Sequence, residues 1–212
     1  MGSIACSPVV AISGSGRDSL PEGLPMSTVI PDLDSVAQLR KVRQTRRFEP
    51  TPVSGDLLEE VLQVARWTGS SINTQPWHFV VVTDPDQLEA LSKTSPWIDW
   101  LADAPMAVAI VLDGKLPAVE YFDEGRVTER ILIAARMLGL GAGTAWLGDE
   151  AGQAQARSIL GVPDGYILRS AVALGYPAPA NAASGKPLVA GRFPLDQLVS
   201  HGIFTDRKPA RS

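Results

Sequence analysis

The chain holds a single cysteine, Cys6, and two histidines, His78 and His201, among 212 residues. One thiol cannot close a disulfide within the chain, and two imidazoles are too few for a His-based or Cys/His metal site without carboxylates. So little cysteine suits a reducing cytoplasm, which is the expected location. Long apolar runs are also missing. Charge interrupts every stretch before the ~18 residues that a membrane-spanning helix needs, so no membrane segment is expected. Basic residues are not in excess: 19 Lys and Arg against 23 Asp and Glu leave a net charge of −4. That balance argues against a general nucleic-acid or membrane-surface binder, because both partners are polyanions. There is no G-x-S-x-G elbow, no H-E-x-x-H pair, no Walker lysine and no histidine near a candidate nucleophile. Hydrolytic and metal chemistry both lose ground.

What remains is a chain that is 45% hydrophobic and 20% charged, enough for one domain with a sizeable core. Residues 1–25 lack the basic start and the apolar stretch of a secretory signal and read as a poorly ordered extension. Met26-Ser27-Thr28 offers an alternative start, so 26–212 is taken as a single domain. Gly14, Ser15 and Gly16 do not make a phosphate loop, having no strand before them and no Lys-Ser/Thr after.

Apolar spacing predicts a short helix over 34–42 and an amphipathic one from Ser54, carrying Leu57, Leu58, Val61, Leu62 and Ala65, with Ser54 as N-cap. Residues 77–83 (WHFVVVT) and 106–112 (MAVAIVL) read as buried strands ended by Asp84-Pro85 and Asp113-Gly114. A short helix over 86–92 and a tryptophan-bearing loop over 94–104 separate them. The longest helical pattern spans 117–140, and its second half has almost no polar face, which suits the centre of the protein or a subunit interface. Strands at 144–147 and 167–174, a helix near 150–160 and an Ala/Pro/Gly-rich arm at 177–191 complete a mixed α and β domain.

Three segments stand out. In LRKVRQTRRF, Arg40, Lys41, Arg43, Arg46 and Arg47 concentrate five of the 19 basic residues, an anion grip or a solvated helix end. In WTGSSINTQPW (67–77), six hydroxyl and amide side chains lie between two tryptophans, either an ordinary loop or a seat for a flat heteroaromatic ligand. In LGLGAGTAWLG (138–148), glycines follow a helix instead of opening one, which argues against a dinucleotide fingerprint. They are read as ending the helix and letting the next backbone run close under something planar.

Together VRQTRRFEPTPV, ARWTGSSINTQPWHFVVV, ADAPMAVAIV, RILIAARMLGLGAGTAWLG, LRSAVALGYP and GRFPLDQLV resemble the nitroreductase family over roughly residues 35–204. The S-S-x-N-x-Q-P-W loop is the most specific part. The resemblance implies an α+β fold, with a mainly antiparallel central sheet flanked by helices. It also implies a homodimer built on the long central helix, binding one FMN per subunit in sites made from both chains. By position it assigns Arg43, Gln44, Arg46 and Arg192 to the FMN phosphate and pyrimidine edge. Ser70, Ser71 and Asn73 contact the flavin across the dimer, while Ala145, Trp146, Leu147 and Gly148 pass beneath the ring near N5. Trp97, Trp100, Tyr121 and Phe122 are the expected walls of the substrate slot, with core or interface packing as the other reading of each. The chain departs from the family's usual pattern in having Gly69 where proline is common, and a shorter segment at 113–120.

The implied activity is ping-pong reduction of nitroaromatics, quinones or similar electron-poor acceptors by NADH or NADPH, with flavin N5 carrying the hydride and no catalytic side chain or metal required. A cation such as Arg46 would stabilise the charge left on the reduced ring. Other flavin reactions on the same scaffold stay open: enone reduction, dehalogenation, dehydrogenation or flavin breakdown. So does a non-catalytic FMN-storage or sensing role.

Overall fold

The computed structural model describes residues 32–179 and 191–206. The extension expected over 1–25, and most of the arm expected at 177–191, lie outside the described residues. Helix α1 (Leu33–Leu39) is opened by Asp32, whose carboxylate accepts the Ser35 N–H, and it stops short of the expected 42. Helix α2 (Gly55–Arg66) starts as its sequence dictates. Ser54 accepts the Leu57 N–H and Asp56 lies in the first turn, where an acceptor and a negative charge both offset the unpaired amides. Strand β1 (Trp77–Val82), helix α3 (Pro85–Ser92), strand β2 (Met106–Leu112), helix α4 (Pro117–Met137), strand β3 (Gly141–Trp146), helix α5 (Glu150–Leu160) and strand β4 (Ile167–Gly175) follow.

The strands form one antiparallel sheet in the order β1-β2-β4-β3. Helices cover both faces, which is why β2 reads MAVAIVL without alternation and is buried along its whole length. Val61 and Ala65 of α2 and Val127, Ile131 and Ala135 of α4 pack on one face against Val108, Ile110, Leu112, Val172 and Leu174. On the other face Leu88 and Leu91 of α3, Ala156 of α5 and Leu101 from the segment before β2 close on a floor of small side chains, Ala107, Ala109, Ala171 and Ala173. The loop expected over 94–104 contains a 3-10 turn at Asp99–Asp103.

Two details of the sheet position the candidate site. First, α4 ends at Met137 and Gly139 takes φ 78°, the left-handed conformation that costs glycine no Cβ clash. β3 then begins at Gly141, earlier than the expected 144. Second, the register between β2 and β4 slips: Ile110 faces Ser170 and Val111 faces Leu168. Arg169 is thus the extra, unpaired residue of a β-bulge. At its start α4 lacks a side-chain cap at Leu116. Glu120 reaches back instead, accepting the N–H groups of Gly114 and Leu116 at 3.0 and 2.7 Å.

Candidate functional site

The arginine-rich strip lies along β3. Gln44 bridges Ala142 in parallel and Phe48 bridges Pro177. The Thr45 N–H donates to the Ala142 carbonyl at 2.7 Å, and the Gln44 Oε1 accepts the Thr144 N–H at 3.3 Å. This contact requires the glycines. A Cβ at Gly141 would stand 2.6 Å from Thr45 Oγ1, and one at Gly143 would overlap the Thr45 carbonyl oxygen and lie 3.0 Å from the Trp100 ring. The glycines therefore do end the helix and admit a close neighbour, but within the chain that neighbour is the backbone of Thr45.

Arg43 and Arg46 flank Thr45 and are exposed. Arg43 donates to the carbonyls of Arg40 and Val42, each at 2.7 Å, while the Arg46 guanidinium lies 5.8 Å from the Trp100 ring centroid. Neither belongs to an ion pair among the described residues. Two exposed guanidinium groups without carboxylate partners, on a chain of net charge −4, are a donor set suited to a phosphate.

The polar loop before β1 is strained. Ile72, Asn73 and Gln75 have φ of 45°, 57° and 48°, and such values in non-glycine residues persist only where the surroundings hold them. Here the Gln75 N–H donates to Ser70 Oγ at 2.8 Å, and the Ser71 N–H donates to Asp123 Oδ2 at 3.1 Å. Asp123, on α4, is fully buried and also accepts from Arg126 at 3.2 Å. Ser71 is thereby tied to α4, and among the described residues no hydrogen bond joins Ser70, Ser71 or Asn73 to the arginine strip. Ile72 stands 90% exposed at the crest.

Beyond β3 the backbone is wedged. Ala145 and Leu147 are buried, and Trp146 is partly exposed. The Leu147 N–H donates to the Arg169 carbonyl at 2.9 Å. Gly148 has φ 87°, and a Cβ there would meet the Thr94 carbonyl oxygen at 2.5 Å. Its own carbonyl accepts from Gln153 Nε2 at 2.8 Å, and Asp149 caps α5 through the Gly152 N–H.

The four expected wall residues divide. Trp100 is half-buried beside Arg46 and donates through Nε1 to the carbonyl of the exposed Trp97 at 3.1 Å. Tyr121 and Phe122, both exposed on α4, lie elsewhere, Tyr121 over Arg169. Arg192 is exposed and donates to its own neighbour, the Gly191 carbonyl, and among the described residues no hydrogen bond or ion pair joins it to the strip. Sequence reasoning missed Thr45, Asp123, Glu124 and Arg169. One signal was available: Glu120, Asp123 and Glu124 fall on the helical stripe that continues as Val127 and Ile131, and a carboxylate on an apolar stripe must find a buried partner. Among the described residues no group of three or more His, Cys, Asp or Glu is placed to hold a metal. No described helix is long and apolar enough to cross a membrane.

Fold and site define an α+β protein with an antiparallel sheet between two helical layers and an arginine-rich strip on the sheet edge. Comparison with known proteins narrows this class. The family model described as "Nitroreductase family" matches residues 39–96. A protein of Archaeoglobus fulgidus, by name a candidate NADH dehydrogenase/NAD(P)H nitroreductase, is 35% identical over 142 residues, covering 64% of this chain and 80% of that one. A like-named protein of Methanothermobacter thermautotrophicus is 30% identical over 152 residues, covering 69% and 78%. In structure, an FMN-dependent nitroreductase from Clostridium difficile superposes with a TM-score of 0.70 at 24% identity, over 80% of this chain and 99% of that one. The chain belongs to the nitroreductase family.

Proposed function

We propose that this protein is an FMN-dependent oxidoreductase that takes electrons from NADH or NADPH and passes them to nitroaromatics, quinones or similar electron-poor acceptors. The observation that carries the reading is the docking of the arginine strip on Gly141 and Gly143, which puts two cations without carboxylate partners beside the backbone leading to Gly148. The names of the archaeal relatives and of the clostridial structure support the donor and the cofactor.

When bound, FMN supplies the hydride-accepting and hydride-donating centre. The side chains have the remaining tasks. Arg43 and Arg46 neutralise the phosphate and the charge that builds on the reduced ring, and Gln44, whose Oε1 is engaged by Thr144, offers its amide N–H to the pyrimidine edge. Arg192 adds a further phosphate contact. The segment Ala145 to Gly148, which has little room to move, would run beneath the ring, with the Leu147 N–H already engaged by the Arg169 carbonyl. Ser70, Ser71 and Asn73 serve the site of a second copy, forming a homodimer with two composite sites. Hydride transfer to the flavin requires no general acid or base from this chain, and donor and acceptor share one slot.

The test is direct. The purified protein should be yellow, release FMN on denaturation, sediment as a dimer, and bleach anaerobically with NADH or NADPH. A nitroaromatic or quinone should then restore the colour, with parallel double-reciprocal plots. Colourless protein that takes up no FMN would sink the proposal, and bleaching without reoxidation by any acceptor would favour a storage or sensing role.

A further inference from the structure

Two arginines around the sheet are already committed to carboxylates. Arg169 Nε donates to the buried Glu124 at 2.7 Å, and Arg126 pairs with the buried Asp123 at 3.2 Å. Arg46 is different, being exposed and in no ion pair among the described residues. What restrains it is a ring. Its guanidinium carbon lies over Trp100, 5.8 Å from the ring centroid, within reach of the attraction between a cation and an indole face.

Trp100 is itself held firmly. Its backbone N–H donates to Asp99 Oδ1 at 2.9 Å and its Nε1 to the Trp97 carbonyl at 3.1 Å. Its neighbours Ile98 and Leu101 are buried, sinking the turn into the core. The ring tip lies against Gly143, where an added Cβ would stand 3.0 Å away. The indole therefore spans the seam at which the arginine strip docks on β3, with its tip on the strand and its face toward Arg46. Trp97 contributes its carbonyl to this arrangement, its own ring being 77% exposed. A long side chain free in solvent loses rotamer freedom when it grips an anion. One that is already held loses less, and the difference appears as affinity.

We propose that Trp100 is a positioning residue for the cofactor phosphate: by restraining Arg46 it favours FMN over riboflavin, the same flavin without the phosphate. The inference rests on the oxidoreductase reading, in which Arg46 meets that phosphate, and it takes Trp100 out of the acceptor wall. It is tested on the full-length protein freed of flavin and titrated with FMN and with riboflavin. Wild type is compared with Trp100→Leu, Trp100→Phe, Arg46→Met and the double variant Trp100→Leu/Arg46→Met.

The readout is the ratio of the two dissociation constants, since a general loosening of the fold weakens both ligands alike and leaves the ratio where it was. Trp100→Leu should lower the preference for FMN about two- to five-fold, the range of an exposed contact between cation and ring. Arg46→Met should lower it more than about ten-fold, as expected for a lost charge-assisted grip. Trp100→Phe keeps a ring face but loses the bond to Trp97, and should fall between wild type and Trp100→Leu. Without Arg46 the indole has nothing to restrain, so the double variant should match Arg46→Met.

A wild-type ratio in Trp100→Leu, or in Trp100→Phe should the leucine variant not fold, overturns the role of Trp100. So does a multiplicative loss in the double variant, or a wild type that binds both flavins equally. The oxidoreductase reading stands after any of these if wild type takes up FMN and turns over NAD(P)H. A wild type that takes up no flavin overturns both.

Discussion

At the scale of single residues, the sheet edge depends on two missing side chains. Gly143 faces the Thr45 carbonyl and the edge of Trp100, on a backbone held beside β3 by the Thr45–Ala142 bond. Gly143→Ala should therefore lift the arginine strip and weaken FMN binding more than ten-fold, with a loss of about 1–3 kcal/mol from forced backbone movement. Flavin fluorescence titration reads the first effect and denaturant unfolding the second. Unchanged affinity would mean that the strip does not hold the cofactor. The same residues show where sequence reasoning ran short. A glycine triplet after a helix was legible as a helix end, and Gly139 is one. That Gly141 and Gly143 lie inside a strand was not legible, because glycine weakens strands and its presence there follows from a neighbour far away in the chain.

At the scale of elements, local chemistry was a good guide where the cause is local. The Ser54 cap, the Asp84-Pro85 stop and the unbroken apolar run of β2 gave α2, α3 and β2 close to their observed bounds. The bulge at Arg169 and the link between the loop at 70–75 and α4 depend on contacts across the fold, and no local pattern encodes them. That link makes its own prediction. Asp123→Ala strands the Ser71 N–H and releases Arg126, a cost of about 1–3 kcal/mol for a buried partner lost. Hydrogen exchange should quicken at residues 71–75 while the β2 and β4 amides stay protected. Equal protection throughout would show that the strained loop holds itself.

Across the whole molecule, a few surface carboxyls add a small acid-side contribution to stability. Lys115 hydrogen-bonds Asp113 and holds its carboxyl below the ordinary 3.8, Lys93 does the same for Glu89 below 4.5, and Ser35 does so for Asp32. Carboxyls that are more acidic folded than unfolded add stability above their unfolded values and lose it as pH falls through the folded ones. The melting temperature should be insensitive to these groups above pH 5 and decline below about pH 4. Because Glu89 and Lys93 are both exposed, added salt should shrink the Glu89 part. A melting temperature that holds steady to pH 3 would show that these pairs contribute nothing to folding.

The joining of Thr45 to Ala142 also sets a timetable. The arginines leave the ribosome early, but the strand they rest on is synthesised roughly a hundred residues later, and such distant pairings form late in folding. A nascent chain released before β3 carries its cations with nothing to align them. Cofactor loading should therefore follow the release of a finished chain, and truncated translation products should emerge colourless however much FMN surrounds them.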